Sequence, residues 1–310
     1  MKILIISHIS DSDGITPVIL SKLVFDNVTS ILVEVDSVND EVLKLINNNE
    51  IDNYDIIYIT DLGLNEEVST LIENDNILRK KIILLDHHIS NIASNKYSFS
   101  TVVDIDQKGK KQSAASLYYE YLLKNYNNDC LQKESVCYFV NLVREYDTWE
   151  WFKTNNMDAK KLGNLFDLYG RSYFEEHYLS FLKNNDTFSF DDKELFLLEI
   201  EQKTIQTYIE EKKECVIPMS ILGYNAGVVF ASKYRSELGN ALARHFEEQY
   251  DFIIIINIER SISYRGVKNI DLNEIAKVFG GHGHVNACGS PLPKTIHKEI
   301  IELLFNKNIN

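Results

Sequence analysis

Lys2-Ile3-Leu4-Ile5-Ile6-Ser7-His8-Ile9-Ser10-Asp11-Ser12-Asp13-Gly14 is an apolar run that breaks into a histidine and two aspartates at a turn. An uninterrupted apolar run of this length reads as a strand buried on both faces of a parallel sheet. Three similar runs follow, Ile31 to Asp36, Asp55 to Thr60 and Lys81 to Leu85. Between them lie helix-like stretches: Val18 to Phe25, opened by Thr16 as cap and Pro17 as first helical residue, then Asp40 to Asn47 and Glu66 to Glu73. Strand and helix alternating in this way predict a doubly wound α/β domain with right-handed crossovers.

From Ser113 to about Leu182 the pattern turns mainly helical, and the charged, glycine-free segment Asp191 to Glu214 reads as a connecting helix. A second α/β pattern starts near Val216, with strands over Val228 to Ala231 and Phe252 to Ile258, a helix over Leu238 to Glu248 and a glycine-rich turn from Gly280 to Gly289. The expected organisation is therefore a parallel-sheet domain over 1–185, a connecting helix over 186–215 and a smaller α/β domain over 216–310.

The chain has 310 residues and a net charge of −14, the wrong sign for gripping long polyanions through its overall field. A phosphate-bearing partner is expected to be short or locally held. With no apolar stretch of membrane-spanning length and no secretory leader pattern, the chain reads as cytoplasmic and without a membrane partner. Cys130, Cys137, Cys215 and Cys288 lack metal-binding spacing and are expected to be reduced and mostly buried. Oligomeric state is left open, with a homodimer among the forms allowed.

The chemistry collects at strand ends. The first run leads into His8, Asp11 and Asp13, the third into Asp61, and the fourth into Asp86-His87-His88. In an open parallel sheet the carboxyl ends of the strands share one edge, outside which ligands bind. Asp11 and Asp13, two apart in an extended loop, are expected to aim at one locus. So many carboxylates together raise one another's pKa, a conflict that divalent cations resolve. Mixed carboxylates and imidazoles without thiolates suit Mn²⁺, or Mg²⁺ with looser selectivity, and a pair of such ions suits phosphoryl chemistry.

Asp86-His87-His88 with Asn91, together with His8, Asp11, Asp13 and Gly14, resembles the DHH phosphoesterase superfamily. The segment Phe279-Gly280-Gly281-His282-Gly283-His284-Val285-Asn286-Ala287-Cys288-Gly289 is similar to the loop of the DHH-associated C-terminal domain. It departs from that pattern at His282 and Cys288. The resemblance implies one metal held by His8, Asp11 and Asp61 and a second by Asp13, Asp61, His87 and Asp147, with Asp61 shared. It implies Asp86 as the group orienting His87 and His88, and His88 facing the substrate as phosphate contact or general acid. Arg265, Gly281, His282, Gly283, His284 and Asn91 are the implied substrate contacts, and Trp149 and Trp151 are expected to pack against the metal loop.

The expected activity is two-metal hydrolysis of phosphodiesters in short single-stranded RNA or DNA, including nano-RNA and short linear dinucleotides, to mononucleotides, with an exonuclease mode. The smaller domain is expected to close over the cleft. Rival readings are a phosphatase of small nucleotides such as 3′-phosphoadenosine 5′-phosphate, or of inorganic pyrophosphate and polyphosphate, and an inactive nucleotide-binding regulator.

Overall fold

Ile3, Leu4, Ile5 and Ile6 are each at most 1% exposed, because side chains alternate between the two faces of strand β1 (Lys2–His8) and both faces are covered. The computed structural model, which describes residues 1–305, divides into two compact units, one over Met1–Leu198 and one from Glu199 onward.

In the first unit β1 lies in a five-stranded parallel sheet with β2 (Asn27–Val33), β3 (Ile56–Thr60), β4 (Ile82–Asp86) and β5 (Ser100–Val102), in the order β2-β1-β3-β4-β5. Ile3 and Ile5 pack on one face with the helices Ser12–Val24, Ala114–Asn125, Glu134–Asp147 and Met157–Asn184. Leu4 and Ile6 pack on the other with Val38, Val42, Val68 and Ile72. The strand order reverses direction between β1 and β3, and a crevice opens at such a switch point outside the carboxyl ends of the strands.

Two local expectations are corrected. The second strand occupies Asn27–Val33 rather than Ile31 to Asp36, since pairing with β1 in register from Lys2↔Asn27 to His8↔Val33 requires the earlier start. The first helix begins at Ser12 rather than at Pro17, because the Asp11 carboxylate accepts the Gly14 N–H at 2.9 Å and caps it there. Pro17 therefore sits inside the helix.

The second unit is built on a mixed six-stranded sheet: β6 (Ile217–Ile221), β7 (Tyr224–Phe230), β8 (Phe252–Asn257), β9 (Ser261–Arg265), β10 (His282–His284) and β11 (Ala287–Pro291), ordered β10-β11-β9-β8-β7-β6. The helix Arg235–His245 and the end of Asp192–Lys213 cover one face through Leu238, Leu242 and Ile209. The helix Leu272–Val278 covers part of the other. The glycine-rich segment is a β10–β11 hairpin rather than a turn alone. The boundary between the units falls within Asp192–Lys213.

Only Cys288 among the four free cysteines is buried; contrary to expectation Cys137, near the start of the helix Glu134–Asp147, and Cys215, in the turn after Asp192–Lys213, are exposed. No helix among the described residues is long and apolar enough to cross a membrane.

Candidate metal centre

His8 closes β1 and Asp61 follows β3, so neighbouring strands of the switch point deliver both to one place. Asp61 adopts φ 60°, a left-handed conformation that aspartate tolerates better than most residues, and its N–H donates to the Leu85 carbonyl at 3.2 Å. The turn directs the carboxylate inward, where it is buried (4% exposed). Its Oδ2 lies 3.6 Å from His8 Nδ1 and its Oδ1 lies 3.2 Å from His87 Nε2, so one carboxylate spans two imidazoles.

On the His8 side, Nδ1 is 3.1 Å from Asp11 Oδ2, and Nε2 is 3.5 Å from Glu34 Oε2. On the His87 side, Nε2 is 3.7 Å from Asp13 Oδ2 and 3.6 Å from Asp147 Oδ2. His8, Asp11 and Asp61 form one set of donors mutually within 4.8 Å, and Asp13, His87 and Asp147 another. Asp11 and Asp13 thus serve different sets rather than one locus. The reason is local: Asp11 is the extended cap and Asp13 lies in the first helical turn, which rotates its side chain away.

Asp13 is held by tertiary structure. Its Oδ2 accepts from Ala114 N at 2.8 Å and its Oδ1 from Ala115 N at 2.9 Å, at the start of the helix Ala114–Asn125. Ser113 and Ser116 complete that helix start as a capping box. Asp147 sits at the carboxyl end of Glu134–Asp147, where the helix dipole disfavours a negative charge.

Asp86, the last residue of β4, points its carboxylate back over its own loop. Its Oδ1 accepts from His87 N at 2.8 Å and from His88 Nδ1 at 2.8 Å, while Oδ2 accepts from Asn91 Nδ2 at 2.6 Å. Asn91 is therefore engaged with Asp86, and His88 presents its half-exposed ring. Trp149 is exposed at 63%, so of the two tryptophans Trp151 alone packs against the core.

The charges conflict as placed. Burial, with repulsion from Asp13, Asp11 and Asp147, holds the Asp61 carboxyl well above the usual range, and burial raises Asp13 as well. Burial and the Asp13 charge push Asp147 up to about 7. The hydrogen bond that His8 Nδ1 donates to the Asp11 carboxylate raises His8 to about 9. Burial pulls Asp86 upward too, but hydrogen bonds from His88 and Asn91 outweigh it and keep that carboxyl below its usual value. Asp86 is thus satisfied by protein donors, whereas Asp61, Asp13 and Asp147 carry more negative charge than their surroundings balance. That surplus of hard oxygen donors beside two imidazoles fits divalent cations.

In the second unit, Arg265, Gly281, His282 and Gly283 line one cavity of about 600 Å³. His284 does not line it. Arg235 and Arg260 do, two cations that sequence reasoning passed over because neither stands in a recognisable motif. A side chain at Gly281 would place its Cβ 2.1 Å from the Gly289 carbonyl oxygen, so hairpin closure explains the glycine. Cys288 points into the core and donates to the Leu272 carbonyl at 3.0 Å. Sequence reasoning also passed over Glu34, whose signal was an acid inside a run read as apolar.

A doubly wound parallel sheet carrying a carboxylate and imidazole cluster at its switch point defines the class of this protein. A family model described as the DHH family, N-terminal domain, matches residues 2–139. Oligoribonuclease NrnB of Bacillus subtilis (strain 168) is 32% identical over 303 residues, covering 96% of this chain and 75% of that protein. The chain belongs to the DHH family. Among solved structures, the DHH domain of a member of the s1p family of ribosomal proteins superposes with a TM-score of 0.54 at 16% identity, covering 97% of this chain and 85% of that one, a likeness of fold.

Proposed function

We propose that this chain is a divalent-metal-dependent phosphodiesterase that hydrolyses short oligonucleotides to mononucleotides. The observation that carries the reading is Asp61, one buried carboxylate reaching 3.6 Å from His8 and 3.2 Å from His87, with Asp11 beside the first imidazole and Asp13 and Asp147 beside the second. In this reading His8, Asp11 and Asp61 hold one cation, and Asp13, Asp61, His87 and Asp147 hold the other. Bound cations, Mn²⁺ or Mg²⁺, would supply the concentrated positive charge that lowers the pKa of water and offsets charge on a phosphoryl group.

The protein's own residues do the rest. Asp86 fixes the His88 ring through Nδ1, which leaves Nε2 free to donate to a phosphate oxygen or to protonate the departing oxygen. Asn91 keeps Asp86 in place from the other side. The arginines of the second unit's cavity, with Arg265 at its wall, suit bidentate contact with a phosphate. The name of the Bacillus subtilis relative, an oligoribonuclease, supports the substrate class, as does a net charge of −14, which disfavours long polyanions.

A time course on 5′- and 3′-labelled RNA and DNA of about two to twenty nucleotides, with Mn²⁺, Mg²⁺ or chelator, tests this reading. The expected result is cation-dependent release of mononucleotides from oligomers of a few residues. Intact di- to pentanucleotides beside degraded long strands would overturn it.

A further inference from the structure

The second unit carries two apolar surfaces that no described residue covers, and they match each other. The first is a groove of about 330 Å³ on the open part of the six-stranded sheet, lined by Ile217, Met219, Phe230, Ile256, Ile262 and Phe279 among others. It crosses β6, β7, β8 and β9, and its side chains from β6, β7 and the end of the helix Leu272–Val278 are roughly half exposed. Four strands at about 4.8 Å spacing give a trough about 14 Å across. The second surface is the helix Ile296–Phe305. Its Ile301, Leu303, Leu304 and Phe305 are 59%, 76%, 60% and 77% exposed. Ten helical residues span about 15 Å, the width of the trough.

We infer that the groove receives the helix Ile296–Phe305 of a second copy of this chain, in a reciprocal two-fold exchange. Three observations favour a second copy over the chain's own helix. The helix is pinned at its start, where His297 Nε2 donates to the Ile258 carbonyl at 2.8 Å in the β8–β9 turn. Pro291 and Pro293 bracket Leu292 immediately before it and restrict the backbone that would have to reverse. Leaving that turn, the helix carries its terminal apolar residues into solvent rather than back over its own sheet. A partner's helix enters the free groove without breaking these contacts, and two-fold symmetry makes both exchanges at once.

The area is adequate. Ile301, Leu304 and Phe305, which share one face of the helix, bury about 100 Å² each and, with the matching groove, roughly 600 Å² per exchange. The symmetric pair then reaches about 1,200 Å², the lower end of the range of specific, stable interfaces. Both surfaces are apolar, so raised salt, which screens the repulsion between two acidic chains, strengthens the association.

The test is sedimentation velocity on the full chain from about 1 to 50 μM, with a dimer expected at twice the 35.8 kDa chain mass. Leu304→Lys and, separately, Met219→Lys each raise the dissociation constant at least ~30-fold, the loss of one central contact. An equimolar mixture of the two variants recovers dimer, because one helix and one groove remain intact across the pair.

A second arm replaces the exposed Cys137 and Cys215 by serine, then oxidises a mixture of Leu304→Cys and Met219→Cys chains, with linked pairs expected at dimer mass. A monomeric wild type, a dimer that survives both lysine variants, or a Leu304→Cys/Met219→Cys double variant that links within one chain overturns the inference. Unchanged thermal melting of the variants, or failing that the crosslinking arm, separates loss of association from loss of folding.

Discussion

Replacing Asp61 by asparagine makes the metal-free protein more stable while removing its response to metal. The donor atoms of Asp61 and Asp11 lie within 4.8 Å of each other, and two charges at that separation repel by about 3 kcal/mol at an effective dielectric of ~20. Contacts to His8 and His87 return part of this, and asparagine keeps hydrogen-bonding capacity and tolerates the left-handed backbone at φ 60°. The net gain at pH 8 is about 1–2 kcal/mol, or roughly 2–8 °C in the melting of a unit of this size.

The pH dependence has a definite sign. The Asp61 carboxyl is raised in the folded chain, so the folded state binds its proton more tightly than the unfolded one, and wild-type stability falls as pH rises above the unfolded value of about 3.9. Asp147, raised to about 7, extends the same loss through neutral pH. The advantage of Asp61→Asn therefore grows from pH 5 to pH 8. Scanning calorimetry after chelation measures it. With Mn²⁺ at about one hundred times its dissociation constant, wild type should gain ~2.7 kcal/mol, and the variant a small fraction of that. A metal-free variant that melts below wild type at pH 8, or one that gains as much from Mn²⁺, refutes the reasoning.

Asp13→Ala behaves oppositely: it orphans the Ala114 and Ala115 N–H groups at roughly 1–3 kcal/mol each, so the metal-free variant melts below wild type as well as losing turnover. Gly14→Ala brings a Cβ to 2.1 Å from the His8 carbonyl oxygen, which forces the strand and helix apart. Chemical denaturation should show a loss of about 1–3 kcal/mol, and unchanged stability would mean the loop is looser than described. Arg265→Ala is expected to raise KM for an oligonucleotide at least ~10-fold with little effect on metal-dependent melting, as removal of a charged phosphate contact requires; an unaltered KM would remove Arg265 from the substrate's path.

The parallel strands, their order of chemistry and most of the carboxylate and imidazole cluster were legible in the sequence. Short, β-branched uninterrupted runs such as Ile3 to Ile6, alternating with helical stretches, read as strands buried on both sheet faces, and the edge at which such strands end is set by their parallel direction. His8, Asp61 and His87 follow from that alone. Asp147, 60 residues beyond His87 on a helix end, carried no local signal; the family resemblance supplied it, and packing of Glu134–Asp147 brings it to His87.

Residue type and spacing did not decide how the donors divide; the family resemblance implied a division, and tertiary structure supplies its physical reason. Asp11 and Asp13 are two positions apart, yet a helix that starts between them turns one toward His8 and the other toward His87, where the N-terminus of Ala114–Asn125 grips it. Asp61 and Asp86 are both buried carboxylates at strand ends, yet donors from its own loop satisfy Asp86 while acids surround Asp61. Type and spacing place an acid at an edge. Whether that acid is neutralised by neighbours or left to demand a cation depends on groups distant in the chain, which folding alone brings within hydrogen-bonding range.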